Sequence, residues 1–259
     1  MAITVVQHAN AAGLSVATLP VTLPNPVTAG NLLVVGVRAG DTDTINAPTD
    51  TGSNTYTNVA GATVVNTGNH KIQTWYVANC AGGSTFTVTA NFGAAVGHPE
   101  IFVYEVSGIR PTSPVDTQTG GQAASGTAVA SGSITTAEAG EYLFGFCTTS
   151  GNTGTLALGS GWTDAEFMQS NVNNPTGGGE DQITSAAGSF NATFTLGTSS
   201  AWSASVVAFF AAGRGGGFFA SAQVSRFRDG RRPTHPPLFS APPAPAAAPV
   251  PPIYGYSSN

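Results

Sequence analysis

The sequence predicts an all-β protein: a single antiparallel β-sandwich with two pseudo-repeated halves, followed by an extended, Pro-rich C-terminal arm. Three observations carry this expectation. In several segments apolar residues alternate with Thr and Asn at a period of two, as strands with one face in a core require. Clusters of Gly, Asn, Asp, Ser and Pro punctuate these segments at short intervals, which is turn chemistry. Charged residues make up 8% of the 259 residues, against about 25% in an average globular chain, so the Glu/Lys/Leu/Ala pattern of a helical bundle or coiled coil is missing.

In chain order, Asn31–Val37 (NLLVVGV) is continuously apolar and predicts a strand buried on both faces. In Ser84–Ala90, Phe86, Val88 and Ala90 alternate with Thr85, Thr87 and Thr89. Glu100–Val106 is a further apolar strand. Thr117–Ser133 is rich in Gly, Ala, Ser and Thr and reads as an exposed crossover loop. In Ser189–Leu196, Phe190, Ala192, Phe194 and Leu196 alternate with polar neighbours, and Ala201–Phe210 closes the body. Motifs recur in order about a hundred residues apart. Ala29-Gly30-Asn31-Leu32-Leu33 returns as Ala139-Gly140-Glu141-Tyr142-Leu143. The turn Gly52-Ser53-Asn54-Thr55-Tyr56-Thr57 is echoed by Gly159-Ser160-Gly161-Trp162-Thr163. The strand at 74–80 (TWYVANC) is matched to 165–171 (AEFMQSN). Either half alone is short of core, so residues 1–212 are expected to share one sandwich.

Residues 213–259 differ in character. Gly213–Gly217 (GRGGG) is a flexible break, and Pro233–Pro252 holds nine of the seventeen prolines, a polyproline II composition. The body carries three basic side chains against twelve acidic ones, a net −9. The arm carries five against one, a net +4. Arg226, Arg228, Arg231 and Arg232 cluster in the arm, with Phe218, Phe219, Phe227, Phe239, Tyr254 and Tyr256 as aromatic anchors along it. An extended chain of that kind fits a partner's groove, its prolines reducing the entropy lost on binding. An acidic body is a poor match for nucleic acid, so protein partners or copies of the same chain are the expected targets.

No apolar run reaches the roughly 18 residues of a membrane helix. The N-terminal MAITVVQHANAAGLSV has no basic start or long apolar stretch, so no secretory signal is read there. The single lysine and the Thr/Gly/Asn-rich composition nonetheless suit an exterior location. A virion or extracellular surface is expected, reached by particle assembly and lysis, by a removed leader or by dedicated export. Cys80 and Cys147 are read as two buried thiols, with a disulfide as the alternative.

The run AGNLLVVGV, GSNTYT, the Ile72-x-x-Trp75-Tyr76 strand, AGGSTFTVT and EVSG (105–108) resembles a loosely defined group of β-sandwich domains. These occur in phage structural proteins and bacterial surface proteins, with jelly-roll or lectin-like folds. The resemblance covers about residues 3–212. It implies a jelly-roll-like plan and a non-catalytic module for adhesion, decoration or glycan contact.

Chemistry-bearing motifs are few. Neither the G-x-S-x-G elbow nor H-E-x-x-H occurs, and His8, His70, His98 and His235 are scattered singly. A glycosidase needs two carboxylates flanking a sugar bond. Glu100 and Glu105 are the nearest pair, but their spacing puts them on opposite faces of one strand, and either would need an acid such as Glu166 from elsewhere. A carboxylate at the end of a strand also accepts hydrogen bonds from turn groups, which is the competing reading of Glu105. Asp41, Asp43, Asp50 and Asn54 offer hard oxygen ligands for calcium, without EF-hand spacing; the same residues are ordinary turn formers. Glu180-Asp181 after three glycines is a weaker version of the same idea, and those glycines read as turn or linker. Tyr56 and Trp162 follow turns and are the candidates to stack on a glycan; Trp75 and Trp202 read as core. No other cofactor is implied.

Overall fold

A computed structural model describes residues 2–169 and 175–213, with the backbone alone over 164–169. Among the described residues the regular structure is strand, apart from one 3-10 turn at Ala60–Ala62. None of their helices is long and apolar enough to cross a membrane.

The first half contributes β1 (Thr4–Ala12), β2 (Val16–Thr22), β3 (Leu32–Ala39), β4 (Ile45–Asp50), β5 (Thr57–Asn58), β6 (Val64–Asn66), β7 (His70–Val77), β8 (Thr87–Val96) and β9 (Glu100–Ser107). The second contributes β10 (Val115–Ala123), β11 (Ala128–Ala130), β12 (Ile134–Thr135), β13 (Tyr142–Thr149), β14 (Leu156–Leu158), β15 (Thr163–Gln169), β16 (Thr176–Ile183), β17 (Ser189–Phe190), β18 (Thr193–Leu196) and β19 (Trp202–Phe209). Each half forms one large and one small sheet. The large sheets run β1-β9-β3-β7-β5, with β6 also on β7, and β10-β19-β13-β16-β15. The small sheets are β2-β8-β4 and β11-β18-β14, the latter beside the short pair β12-β17. Read position by position, the two large sheets have the same strand order.

The all-β antiparallel class holds, but the layering is richer than one sandwich. Among the described residues no named strand of one half pairs with a strand of the other, and one bridge, Ile109 to Ala211, joins their ends. Buried side chains fall into three clusters. One lies between the first half's two sheets and includes Val35, Val37, Phe86, Val88 and Val103. Another lies within the second half, around Leu143, Phe194, Trp202 and Val206. The third joins the two large sheets, with Leu32, Val34, Phe102 and Tyr104 meeting Tyr142, Phe144, Phe146 and Phe209. The order is therefore small sheet, large sheet, large sheet, small sheet. That is why β3 and β13 are buried at every position: alternate residues feed different cores. Removing the middle contact would uncover a contiguous row of aromatic and branched side chains, each worth about 1.5–3 kcal/mol when buried.

The contacts across the middle are reciprocal. β3 meets β13, β9 meets β16 and β7 meets β19, while β1 approaches β15 and β6 approaches β10. Residue type i on one half faces type j on the other and the reverse, the pattern of a two-fold interface realised inside one chain. The Ala-Gly turn that starts each central strand is also repeated: Gly30 and Gly140 both have positive φ, 94° and 75°, where a side chain would be strained.

Three sequence expectations need correction. Thr117–Ser133 is not a crossover loop; it contains β10 and β11. The half-to-half connection lies between β9 and β10, where Arg110 stacks over the Phe210 ring at 4.0 Å and reaches Glu138 at 3.6 Å. The partner of the 74–80 strand is not 165–171. β7 occupies the place of β16, and β15 is an edge strand. Finally, Gly177–Gly179 are neither turn nor linker but part of β16. A Cβ on Gly177 would lie 2.5 Å from Glu100 Oε2, and one on Gly179 would lie 2.5 Å from Tyr104 Oη. The glycines are what let the first half's β9 sit against β16.

Candidate functional site

Glu100 and Glu105 point to opposite faces of β9, as their spacing predicts. Glu105 is fully buried and fully used. Its Oε1 accepts from Thr28 N at 2.8 Å and Asn31 Nδ2 at 2.6 Å, and its Oε2 accepts from Gln7 Nε2 at 2.6 Å. It ties β1 and the Thr28–Asn31 turn to β9. The second half solves the same problem from another position. Glu141, which replaces Asn31 in the repeated turn, accepts from Glu138 N at 2.7 Å, while Ala208 stands where Glu105 would be. In both halves a carboxylate therefore holds the N–H that opens the turn. Beside the first turn lies a cleft of about 390 Å³, lined by Thr28–Asn31, Ser107–Ile109, Pro111 and Ala212. The lining carries the Thr28 and Ser107 hydroxyls and the Asn31 amide but no Asp, Glu, His, Lys, Arg, Cys or Tyr to act as acid or base.

The Asp41–Asn54 stretch does not converge on a cation. Asp41 Oδ2 accepts from Gly68 N at 2.7 Å, and Asp43 Oδ2 from Gly40 N at 3.0 Å. Asp50 Oδ1 accepts from Asn54 N at 3.1 Å, and its Oδ2 from Asn54 Nδ2 at 2.9 Å and Tyr56 Oη at 2.8 Å. Three carboxylates cap three separate turns. Glu180 and Asp181 are also committed. Glu180 accepts from Gly159 N and Thr193 N, both at 3.1 Å, and Asp181 accepts from Thr163 Oγ1 at 3.0 Å. Among the described residues no three His, Cys, Asp or Glu side chains are grouped to hold a metal.

Both glycan candidates are buried. Tyr56 is 5% exposed and Trp162 8%; each belongs to the core of its own half. Neither ring offers a face to a sugar. The turn residues before them set the chain direction, and the turn then folds the aromatic inward: Tyr56 finds Asp50 for its hydroxyl, and burial with Asp50 nearby raises its pKa. Trp202 is core as expected, and Trp75 packs part-buried against the first cluster. Cys80 and Cys147 are free and buried; burial pushes Cys80 up to about 11 and Cys147 well up, so neither is a ready thiolate. The arm residues Phe218, Phe219, Arg226, Phe227, Arg228, Arg231, Arg232, Phe239, Tyr254 and Tyr256 lie outside the described residues, as does His235.

One polar cluster escaped the sequence reading. It sits at the end of the middle interface, where the apolar packing gives way. Arg38 and Glu100 are directly opposite on β3 and β9. Arg38 Nη1 donates to the His98 carbonyl. Across the interface, Thr148 Oγ1 of β13 donates to Glu100 Oε2 at 2.6 Å. His70 Nδ1 is 3.2 Å from Ser150 Oγ, which donates to Asn69 Oδ1 at 3.0 Å. Asn66 Nδ2 donates to the carbonyls of Ala123 at 2.9 Å and Trp202 at 3.0 Å. Arg38 Nε, His70 Nε2 and Glu100 Oε1 are buried without hydrogen-bond partners. Burial raises Glu100 to about 7, against the opposing pull of Arg38 and Thr148. The available signal was a charged residue at the end of each apolar strand run, Arg38 after LLVVGV and Glu100 before IFVY.

The chain matches no protein-family model, no curated protein and no solved structure. Chemistry must therefore be read from geometry. The Ser150–His70 pair resembles the start of a nucleophilic triad, but a triad needs a basic imidazole held at its other nitrogen by a carboxylate. Burial and the nearby Arg38 charge push His70 down to about 3, against a weaker upward pull from Asp41, and its Nε2 has no such partner. Ser150 is oriented by Asn69 rather than activated.

Proposed function

We propose that the protein is a non-catalytic structural or attachment protein of a virion or fibre surface, anchored to neighbouring subunits by its C-terminal arm. The observation that carries the reading is the repeated strand succession. In each large sheet the first strand of the half lies beside its last, followed by the central strand and one more (β1-β9-β3-β7; β10-β19-β13-β16), and the small sheets run β2-β8-β4 and β11-β18-β14. This alternation between two sheets supports a jelly-roll-like plan, an architecture of capsid and lectin domains. Two such units fused through their large sheets make a rigid block. Its buried carboxylates are spent on turns and on the middle interface. The acidic body and basic arm supply complementary charge between copies. The burial of Tyr56 and Trp162 and the separate roles of Glu100 and Glu105 favour this reading over a carbohydrate-binding module or a glycosidase.

Sedimentation of the full chain beside a chain ending at Ala212 tests the reading. The full chain is expected to self-associate at low salt and dissociate as salt rises, while the truncated chain stays folded and monomeric. Identical sedimentation of the two at every salt concentration would defeat the anchoring role.

A further inference from the structure

We infer that Glu100, Arg38 and Thr148 form a proton-operated latch between the two halves, settled when the Glu100 carboxyl is neutral and strained when it ionises. Most of the middle interface is apolar. At its polar end a buried side chain of the first half, Glu100, takes a short hydrogen bond from a buried side chain of the second, Thr148. The reach depends on Gly177, whose missing Cβ leaves room for Oε2. Burial is complete at Glu100 and Thr148, and Arg38 is only 5% exposed. Charge here is therefore costly unless compensated.

The compensation is partial. β3 supplies Arg38, opposite Glu100, and that guanidinium is shared with Asp43 and the His98 carbonyl. β7 supplies His70, kept neutral by burial and by Arg38, with Asp41 beyond it. β1 brings Ala12 opposite Glu100, with the titratable His8 farther along, opposite Tyr104. From the second half, β13 brings Thr148, with the buried Cys147 thiol next to it, and β16 brings Gly177, with Glu180 and Asp181 farther along. One carboxylate oxygen, Oε1, is left without a partner. Ionisation therefore places a charge where one cation and one hydroxyl answer it incompletely, and protonation relieves that. The direction is acid-tightening: the latch gains as pH falls through the Glu100 midpoint and loses as pH rises past it. This inference does not depend on the role of the arm.

The test is a carboxyl-carbon NMR titration of the full chain labelled at Glu, with the Glu100 carboxyl assigned by through-bond correlation from its own backbone. Glu100 is expected to titrate near neutrality. Thr148→Val, which removes only the donor from the other half, is expected to move that midpoint further up, and Thr148→Ser to restore it. In parallel, Glu100→Gln should remove about 30-fold of the rise in the unfolding constant between pH 5.5 and 8.5. Glu180→Gln, inside the second half, should leave the Glu100 midpoint unchanged. A Glu100 midpoint in the ordinary carboxylate range, or one that ignores Thr148→Val, overturns the latch. Both readings come from proteins that keep Glu100, so they stand even where Glu100→Gln fails to fold.

Discussion

Gly179→Ala is the sharpest test of how the halves meet. The new Cβ would lie 2.5 Å from Tyr104 Oη and 3.0 Å from Cε2 and Cζ of the same ring. Non-bonded carbon atoms prefer about 3.5–4.0 Å, so the ring must retreat by roughly 1 Å. It has nowhere to go. Tyr104 is fully buried, its ring edge-on to Phe144 at 5.1 Å and tilted against His8 at 5.3 Å. Overpacking of this kind costs about 1–3 kcal/mol. Alanine also restricts the unfolded chain, which returns about 0.4–1 kcal/mol. A net loss of about 1–2 kcal/mol is expected, read as a lower urea midpoint with an unchanged slope. Gly97→Ala, where nothing lies within 4 Å of the new carbon, should be neutral or slightly stabilising. Phe at position 104 removes the nearest atom, so Gly179→Ala should cost less in a Tyr104→Phe background. If Gly179→Ala is as stable as the parent in both backgrounds, β16 does not pack on β9 and the middle interface is wrong.

The buried ionisable groups set the pH dependence of stability. Burial raises Glu100 and Glu141 to about 7 and Glu180 to about 8, so the folded chain holds protons that the unfolded chain releases above its ordinary carboxylate range. Stability from these groups is fully present below about pH 4.5 and is lost as pH climbs to about 8, at about 1.4 kcal/mol per pH unit for each proton held. His70 works the other way: lowered to about 3, it loses stability as pH falls from about 6.5 toward 3. Urea titrations from pH 3 to 9 should therefore peak on the acid side, near pH 4–5, and a maximum above pH 7 would contradict the assignments. In the Asp50 turn, Asp50→Ala strands the Tyr56 hydroxyl and the Asn54 amide and should cost about 1–3 kcal/mol. Millimolar calcium should leave the melting temperature unchanged, because Asp50, Asp41 and Asp43 already serve separate turns; a calcium-dependent rise would mean that they converge.

How far the sequence could be read depends on what kind of signal each element leaves. The Phe86/Val88/Ala90 alternation is a local consequence of one buried face, and it is visible in seven letters. The continuous run in NLLVVGV announces a strand covered on both sides, and the structure supplies the two covers, β2-β8-β4 on one face and the second half on the other. The repeated Ala-Gly turns were visible because a positive φ needs glycine in both halves. β16 was invisible for the opposite reason. Thr-Gly-Gly-Gly-Glu-Asp has no apolar period, since its glycines are chosen by Glu100 and Tyr104 from the other half, more than seventy residues earlier. β10 was missed because an edge strand of half-exposed polar residues looks like a loop. Tyr56 and Trp162 were misplaced because a turn before an aromatic says where the chain bends and not which way the ring then points. Compensation hides in the same way: Glu105 and Glu141 do one job from non-equivalent positions, which no alignment of the two halves would pair.

Hydrogen exchange followed strand by strand gives the most direct test of the central claim, that two like-ordered halves are docked through their large sheets. Amides in Leu32–Ala39 and Tyr142–Thr149 are expected to be the slowest in the body and to open together, with β2, β4 and β14 exchanging earlier from the outer layers. Fast exchange in either central strand, or one half opening completely while the other stays protected, would contradict it.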